Sequence, residues 1–240
     1  MLREQEDAFG RALLDQFNGG NERVIVERDD GYVDTEPVAW YFRELRHWHA
    51  SERRALRHVR GRVLDVGAGA GRVALELQQR GHEVLAIDYS PLAIDVCRKR
   101  GVRDARVLRL TGIDSSLGRF DTVVMFGNNF GLVENPRRAR WFLRRLRAIT
   151  TDGARIIAVS YDPYGTKDPH KLAYHERNRR RGRMGGQIRL RVRYRLYATP
   201  WVDYLMVSSA EMEEIISGTG WKLDRVLRDE IFFAGVITRT

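Results

Sequence analysis

The sequence predicts an α/β fold built on a mostly parallel β-sheet, and three features point to it. From Arg62 to Ser160, short apolar segments alternate with segments that have the periodicity of amphipathic helices. A glycine-rich loop directly follows the first apolar segment. The 240 residues suffice for one domain with a sizeable core and an elaboration. Strands separated by helices form right-handed βαβ units, and such units build parallel sheets.

Residues 1–60 are predicted to form an N-terminal cap or lid. An amphipathic helix opens the segment, and an alternating stretch followed by Asp29-Asp30-Gly31 predicts a β-hairpin. Pro37 fits the first position of a further helix, and Ser51 the start of another. The predicted elements are helix 7–17, strands 23–27 and 32–34, a helix from 37, and helix 51–59.

Residues 61–160 are predicted to form the core of the sheet. Gly81 and Gly101 end two of the helices, and Ser90-Pro91 and Asn135-Pro136 begin two of them. The predicted strands are 63–66, 83–87, 106–110, 120–126 and 154–160, and the predicted helices are 72–80, 91–100 and 136–149.

After residue 160 the alternation stops, and residues 161–207 are predicted to be an inserted loop and antiparallel hairpin. Residues 161–187 are polar and rich in arginine, glycine and proline, which predicts a loop. Residues 188–197 alternate strictly between apolar side chains and arginines, as in a half-buried strand, and 201–207 can pair with them. Residues 208–240 then return to the core with a helix that begins at Ser208 and strands 221–227 and 231–238.

Composition excludes several classes of protein. Hydrophobic residues make up 43% and charged residues 31% of the chain, which is typical of a globular domain. The single cysteine, Cys97, rules out an intrachain disulfide framework and a cysteine-based zinc site, and we predict that it is buried and inert. No apolar stretch is long enough to span a membrane, and the charged N-terminus lacks the apolar segment of a signal peptide. We therefore expect a cytoplasmic protein without a membrane partner.

The charge is distributed unevenly. The sequence has 42 basic and 32 acidic residues, a formal net charge of +10, but residues 1–36 contain ten acidic residues and four arginines. We expect this acidic segment to dock on the basic remainder. Basic surfaces also suit RNA, although arginines lie on solvated faces as well. The arginines cluster at Arg137, Arg140, Arg144 and Arg147, within residues 177–183, and at Arg189, Arg191, Arg193 and Arg195.

The strongest chemical signal is the segment VLDVGAGAGR, residues 63–72. Glycines at 67, 69 and 71 allow a sharp turn and a close approach of a ligand to the backbone amides, which the following helix N-terminus reinforces. Asp88 ends the next strand 21 residues after Gly67, where a carboxylate can accept both hydroxyls of a ribose. Asp65 can orient the loop or bind an ammonium group. The GxGxG spacing argues against a GxGxxG dinucleotide site for NAD.

The segments LDVGAGAGR, VLAIDYSPLAI and FDTVVMFGNNF resemble those of class I S-adenosylmethionine (SAM)-dependent methyltransferases. The resemblance runs from about residue 62 to 159. It implies a Rossmann-like sheet of seven strands whose last strand is antiparallel to the others. It also implies residues 61–160 as the SAM-binding core, and an enzyme that uses SAM as its cofactor and releases S-adenosylhomocysteine (SAH). It further implies that residues 1–60 and 161–207, before the first strand and after the fifth, enclose the substrate as lids.

The resemblance further implies a set of cofactor contacts. The glycine loop would lie along the methionine part of SAM, Asp88 would hold the ribose, and Tyr89 would pack on the adenine. Gly112 and Ile113 would border the other adenine face. The cofactor-binding residues predicted in this way are Asp65, Gly67, Ala68, Gly69, Gly71, Asp88, Tyr89, Ser90, Gly112, Ile113, Phe126 and Gly127. No metal site is predicted.

The predicted catalytic residues are Asn128, Asn129 and Tyr32. The resemblance places the two asparagines after the fourth strand beside the transferred methyl, where carboxamides can position a nucleophile; alternatively, they satisfy a turn. Tyr32 lies in the acidic, aromatic N-terminal segment, where it can help select a cationic or hydroxylated acceptor; alternatively, this segment is a hairpin turn with solvated acids. Candidate bases are histidines, each of which also suits a structural or surface role, and they are His47, His49, His170 and His175.

The sequence therefore predicts SAM-dependent methyl transfer to an oxygen or nitrogen atom of a small molecule. The motif D/N-P-P-Y/F is missing after the fourth strand, which argues against methylation of an exocyclic base amine by that motif. The alternatives are an RNA or protein methyltransferase that uses the arginine-rich surface, and a non-catalytic module that binds SAM or NAD. A monomer and a homodimer both remain open.

Overall fold

A computed structural model describes residues 2–240, within which the chain forms seven α-helices and twelve β-strands. The helices are α1 (Ala8–Phe17), α2 (Ala50–Ala55), α3 (Arg72–Gln79), α4 (Pro91–Lys99), α5 (Pro136–Leu146), α6 (Pro169–Arg180) and α7 (Ser209–Ile216). The strands are β1 (Arg23–Arg28), β2 (Val33–Pro37), β3 (Val63–Val66), β4 (Val84–Asp88), β5 (Asp104–Val107), β6 (Phe120–Met125), β7 (Thr150–Tyr161), β8 (Gln187–Tyr194), β9 (Tyr197–Ala198), β10 (Val202–Leu205), β11 (Trp221–Asp229) and β12 (Phe232–Arg239).

Seven of these strands form one mixed sheet in the order β11-β12-β7-β6-β3-β4-β5. β4 pairs in parallel with β3 and β5, and β6 pairs in parallel with β7. β12 is antiparallel to β7, with Phe232 opposite Tyr161 and Thr238 opposite Arg155. The predicted seven-stranded α/β sheet with an antiparallel last strand is confirmed.

The chain divides into two compact units, and the first contains residues up to Trp48, 61–113 and 190–202. Its strands β3 and β4 are buried along their whole length, as expected for strands covered on both faces. The N-terminal helix α1 belongs to the core of this unit. Its residues Ala8, Ala12 and Leu13 are fully buried in one cluster with Ala93 and Val96 of α4.

A second sheet includes the predicted hairpin of β1 and β2, which is confirmed. The strands pair from Arg23 opposite Pro37 to Glu27 opposite Val33, and Gly31 in the turn has a φ of +88°. The predicted docking of the acidic segment on basic residues is also confirmed within the first unit, because β8 pairs with the outer side of β1. Arg191 donates two hydrogen bonds to the Glu27 carboxylate, at 2.9 and 3.0 Å.

The second unit contains residues 49–60, 114–189 and 203–240. Its strands β6 and β7 are apolar and buried through their centres. Helix α5 begins as predicted, because the Asn135 side chain accepts a hydrogen bond from the Arg138 amide at 3.0 Å and Pro136 is the first helical residue. Its buried face carries Phe142 and Leu146, and its arginines point away from that face.

The expectation of a loop over residues 161–187 is wrong, because the segment contains α6. This helix buries polar side chains, Tyr174, His175 and Asn178, so it lacks the apolar periodicity that marks most helices. Asn178 closes the arginine-rich turn that follows, since its Nδ2 donates to the carbonyls of Gly185 and Gln187 at 3.0 and 2.7 Å. The Asp168-Pro169 pair, a side-chain cap followed by proline, was the available start signal.

Two other local expectations also need correction. The helix expected from Pro37 consists of two short 3-10 turns, Val38–Phe42 and Leu45–His47, because Arg43 and Glu44 between them are extended. Pro37 itself is the last residue of β2. The strand expected at 106–110 is β5, which ends at Val107 and is followed by a 3-10 turn.

Within residues 2–240, no helix is both long and apolar enough to span a membrane. The same residues contain no cluster of three or more histidine, cysteine or acidic side chains that could hold a metal ion. The division of the chain at residues 60, 160 and 207 stays a prediction.

Candidate functional site

The glycine loop between β3 and α3 has a backbone that other residues rarely adopt. Gly67, Gly69 and Gly71 have φ values of +75°, +54° and +79°. At Gly71 a Cβ atom would lie 2.8 Å from Val102 Cγ2 and 3.1 Å from Cys97 Sγ, so a side chain does not fit there. This loop therefore depends on glycine both for its conformation and for its packing. Cys97 is buried, and burial raises the pKa of its thiol, which confirms the prediction of a buried cysteine.

The loop is fixed to the end of β4, and Gly69 at its centre is buried close to Tyr41. The amides of Gly67 and Ala68 both donate to the Ile87 carbonyl, at 2.9 and 3.0 Å. A Cβ atom at Gly69 would meet no closer atom than Cδ1 of Tyr41, at 3.8 Å. A ligand at the Gly69 backbone would therefore meet no side chain of residue 69 itself and would contact the Tyr41 ring, which suits a cofactor-binding loop.

Asp88, the last residue of β4, is tied into the same loop. Its side chain is 7% exposed in the fold, and its two oxygens accept hydrogen bonds from the amides of Gly69 and Ser90, at 2.9 and 3.0 Å. Burial raises the pKa of this carboxyl, while backbone hydrogen bonds from Ser90, Gly69 and Tyr89 oppose that rise. A carboxylate has about four acceptor sites, so Asp88 can still accept from a hydroxyl donor such as that of a ribose.

Asp65, which lies in β3, is 1% exposed. Burial raises its pKa to about 7, the charge of Arg72 opposes the rise, and the charge of Asp88 adds to it. Among the described residues, none forms a hydrogen bond with its buried Oδ2 atom. A buried acceptor of this kind is costly unless a donor reaches it, and an ammonium group of a ligand would be such a donor.

Ser90 and Asp7 join the start of α4 to the start of α1. The Ser90 hydroxyl accepts from the Ala93 amide at 2.9 Å and donates to the Asp7 carboxylate at 2.7 Å. Asp7 also accepts from the amides of Leu92 and Gly10, each at 3.1 Å. The predicted cofactor residue Ser90 is thus a helix cap, and Asp7, which the sequence suggested only as a helix start, is its partner.

The remaining predicted adenine contacts differ in their exposure. Tyr89 is partly buried, and this burial raises the pKa of its phenol, which stays protonated at neutral pH. Gly112 is exposed at the end of the 3-10 turn Leu110–Gly112. Ile113 is fully buried. Of the last two, only Gly112 presents a surface that a ligand can contact.

In the second unit, the residues after β6 form a tight turn. Gly127 and Asn128 have positive φ values of +66° and +69°. The Gly127 amide donates to Glu52 Oε1 at 2.9 Å, and Asn128 Oδ1 accepts from the Tyr161 amide at 2.8 Å. The Asn128 carbonyl accepts from the Tyr204 hydroxyl. The side-chain oxygen of Asn128 therefore fixes the turn, which agrees with the alternative that the asparagines satisfy a turn. The catalytic role of Asn128 stays a prediction.

Phe126 and Asn129, which were predicted to lie beside the same turn, also contribute to the local structure. Phe126 is 2% exposed. The Asn129 amide donates to the Phe126 carbonyl at 3.3 Å and begins the 3-10 turn Asn129–Val133.

Sequence reasoning missed three residues around this turn: Glu52, Tyr161 and Tyr204. Glu52 lies in α2, within ASERRA, which reads as a solvated charged helix, yet its side chain is 1% exposed. Tyr161 and Tyr204 come from β7 and β10, and no motif connects them with β6. A single buried acid in a short charged helix leaves no signal in the sequence.

The other predicted catalytic candidates lie in separate places. Tyr32 is in the β1–β2 hairpin of the first unit, where the Arg28 guanidinium lies over its ring at 4.7 Å. In the second unit, His49 stacks on Phe232 at 4.1 Å, and His175 is 3% exposed beside Tyr164. His47 and His170 are exposed. These positions do not establish a catalytic role for any of the five residues, and the catalytic role of Tyr32 stays a prediction.

Comparison of the sequence with known proteins finds one matching family model and partial matches to curated methyltransferases. The family model described as a methyltransferase domain matches residues 63–153. A magnesium-protoporphyrin O-methyltransferase from Rhodobacter capsulatus is 42% identical over 67 residues, which are 26% of this chain and 30% of that protein. A 2-heptyl-1-hydroxyquinolin-4(1H)-one methyltransferase from Mycobacteroides abscessus is 36% identical over 75 residues, which are 28% and 32% of the two chains. The chain thus spans about a third of the length of these curated relatives.

Solved structures resemble the whole chain. A SAM-dependent methyltransferase from Bacteroides fragilis, in complex with SAH, is 27% identical, with 100% of this chain and 98% of that chain covered and a TM-score of 0.85. The CcbJ methyltransferase from Streptomyces caelestis is 15% identical, covers 99% and 100% of the two chains, has a TM-score of 0.61, and shares the fold. With its seven-stranded sheet, its glycine loop and these matches, the chain has a methyltransferase domain at residues 63–153 and, over its whole length, the Rossmann-like fold of a SAM-dependent methyltransferase.

Proposed function

We propose that the protein binds SAM at the glycine loop and transfers its methyl group to an oxygen or nitrogen atom of a small-molecule acceptor, releasing SAH. The observation that carries this proposal is the hydrogen bond from the Gly69 amide to Asp88, because it fixes a carboxylate beside the glycine loop. A carboxylate beside a glycine loop suits a ligand in which a nucleoside is joined to an amino acid, and SAM is such a ligand.

The residues of the first unit fit this cofactor. Asp88 would accept the ribose hydroxyls, and the backbone at Gly69 would lie along the methionine part. The unpartnered Oδ2 of Asp65 would accept from the methionine ammonium group. When bound, SAM supplies an activated methyl group on a sulfonium, so the protein has mainly to bind, orient and exclude water.

The turn after β6 is proposed to position the acceptor. Glu52 holds the Gly127 amide and the Tyr161 amide holds Asn128 Oδ1, so the turn is preorganised. The Nδ2 hydrogens of Asn128 can then donate to an acceptor oxygen. Burial raises the pKa of the Tyr161 phenol, so this group can donate a hydrogen bond but cannot act as a base near neutral pH. An amine acceptor must lose its proton before transfer, and Tyr161 cannot take that proton.

Two observations favour a small acceptor over RNA. Two arginines of this region are paired with acids of the N-terminal segment: Arg191 of β8 with Glu27, and Arg195, which follows β8, with Asp15 at 3.0 Å. These two charges are therefore not free for phosphates. The two curated relatives are named for methylation of a porphyrin and a quinolone, which are small molecules. RNA and protein acceptors, and a module that binds without catalysis, are the outcomes that the experiment must separate.

The test uses methyl-labelled SAM, the purified full-length protein and a cell extract. Label in the small-molecule fraction would support the proposal. Nuclease-sensitive label would assign the arginine surface to RNA, and protease-sensitive label would indicate a protein acceptor, and either would overturn the proposed acceptor class. Binding of SAM without label in any fraction would favour the non-catalytic module. Asp88→Ala at a low SAM concentration is the control, because transfer that depends on the proposed site should fall.

A further inference from the structure

Tyr41 and Glu36 form a pair beside the glycine loop that no sequence motif indicated. The Tyr41 ring is the group nearest to Gly69 on the side where a Cβ atom would lie, at 3.8 Å from that position. Its hydroxyl donates to Glu36 Oε2 at 3.2 Å. Both side chains are half-buried, and all three residues belong to the first unit. A carboxylate therefore lies one side chain away from the loop proposed to hold the methionine part of SAM.

The pair is held by rigid elements. The ring of Phe9, in α1, meets the ring of Tyr41 edge-on at 4.8 Å, and Tyr41 packs on the buried cluster that includes Ala70 of the glycine loop. Glu36 is set by the register of the hairpin, because it pairs with Val24 of β1. The position of the carboxylate thus follows from packing and from strand pairing, and a flexible loop does not supply it.

The carboxylate lacks a cationic partner of its own. Burial raises the pKa of Glu36, the charge of Asp34 adds to this rise, and the hydrogen bond from Tyr41 opposes it. Among the described residues, no arginine or lysine lowers the pKa of Glu36. A half-buried carboxylate without a counter-ion is stabilised when a ligand brings a positive charge near it. SAM carries a sulfonium in addition to its ammonium and carboxylate, whereas SAH carries a neutral thioether.

We infer that Glu36, supported by Tyr41, makes the site favour the cationic sulfonium of SAM over the neutral thioether of SAH. This inference rests on the proposed function, since it assumes that the methionine part of the cofactor lies at Gly69. A methyltransferase releases its product more readily if binding weakens when the positive charge is lost. Glu36 is thus a specificity-determining residue for the cofactor, and its effect on SAM and SAH should differ because only one ligand has the extra charge.

The test is the affinity of the full chain for SAM, SAH and sinefungin, an analogue with an ammonium group in place of the sulfonium, measured by isothermal titration calorimetry. Glu36→Gln keeps the shape and removes the charge. We expect the affinities for SAM and sinefungin to fall about 5- to 10-fold and that for SAH to change less than about 2-fold, as for one charge pair at a partly buried site. Tyr41→Phe keeps the ring over Gly69 and should cause a smaller loss of the same selectivity.

Asp34→Asn is the matched control, because it removes an exposed carboxylate two residues away on the same strand. It should change the selectivity less than about 2-fold. Equal losses for SAM and SAH in Glu36→Gln, or no loss for either, would overturn the inference. If the unchanged protein binds neither SAM nor SAH, the proposed function itself fails, so the two failures are distinguishable. Melting temperatures of all variants show whether each still folds.

Discussion

The contact between Asp7 and the start of α4 leads to a sharp prediction about stability. The Asp7 carboxylate is 3% exposed and accepts hydrogen bonds from Gly10, Ser90 and Leu92. It is at once the N-cap of α1 and an anion at the N-terminus of α4. Asp7→Ala removes both functions, so the variant should lose much more stability than the loss of one helix cap would cause.

The magnitude follows from the individual contacts. Loss of an N-cap side chain costs about 1 kcal/mol. The hydrogen bonds from Ser90 and Leu92 add about 1 kcal/mol each, because they end on a buried carboxylate whose removal leaves the donors without an acceptor. The charge of Asp7 repels that of Asp88 and raises the pKa of Asp88. Removal of Asp7 ends this repulsion, which offsets part of the lost stability. We expect the free energy of unfolding to fall by about 2–3 kcal/mol.

Urea denaturation at pH 7, followed by circular dichroism, measures this change. Asn135→Ala is the matched control, because its side chain caps α5 through the Arg138 amide in the same way. It should cost about 1 kcal/mol. If Asp7→Ala were no more destabilising than Asn135→Ala, the contact between α1 and α4 would contribute nothing and the reasoning would be refuted.

Three further predictions concern the glycine loop and its carboxylates. Asp88→Ala should weaken SAM and SAH binding by about 1–3 kcal/mol in calorimetry, because charge-assisted hydrogen bonds to the ribose are lost. Gly71→Ala should destabilise the fold by more than about 2 kcal/mol in urea denaturation, because the φ of +79° is strained and the new methyl group would meet Val102. Between pH 4 and 7, stability should fall as pH rises, by at most about 4 kcal/mol at ~1.4 kcal/mol per pH unit, and Asp65→Asn should flatten this dependence.

The sign of the pH effect follows from Asp65, whose pKa rises from 3.8 to about 7 on folding. In that window the folded protein holds a proton that the unfolded chain has released, so raising the pH favours unfolding. A profile that is equally steep in Asp65→Asn would contradict this assignment. For Asp88 the control is Asp95→Ala, an exposed acid of α4 paired with Lys99, which should leave binding unchanged. For Gly71 it is Gly81→Ala, where φ is +88° but no atom lies within 4 Å.

Much of the fold was predictable because the signals are local. Glycines at 67, 69 and 71 mark a backbone that needs positive φ, and the structure has positive φ at all three. The Asp29-Asp30-Gly31 turn predicts a hairpin, and the structure has it in register. Helix α6 was missed because its buried side is polar. Asn178 on this side donates to the backbone carbonyls of Gly185 and Gln187, a kind of contact that apolar periodicity does not detect.

The sequence by itself determined the alternation of strands and helices over residues 62–160, the conformation of the glycine loop and the position of Asp88 at the end of β4. These depend on neighbouring residues, whose backbone preferences and apolar patterns extend over a few positions. Only the tertiary structure decided which distant side chains meet. Asp7 and Ser90 are 83 residues apart in the sequence, and Glu52 and Gly127 are 75 apart. Such pairs form because packing brings two elements together and a buried polar group then requires a partner, and neither condition is visible until the chain has folded.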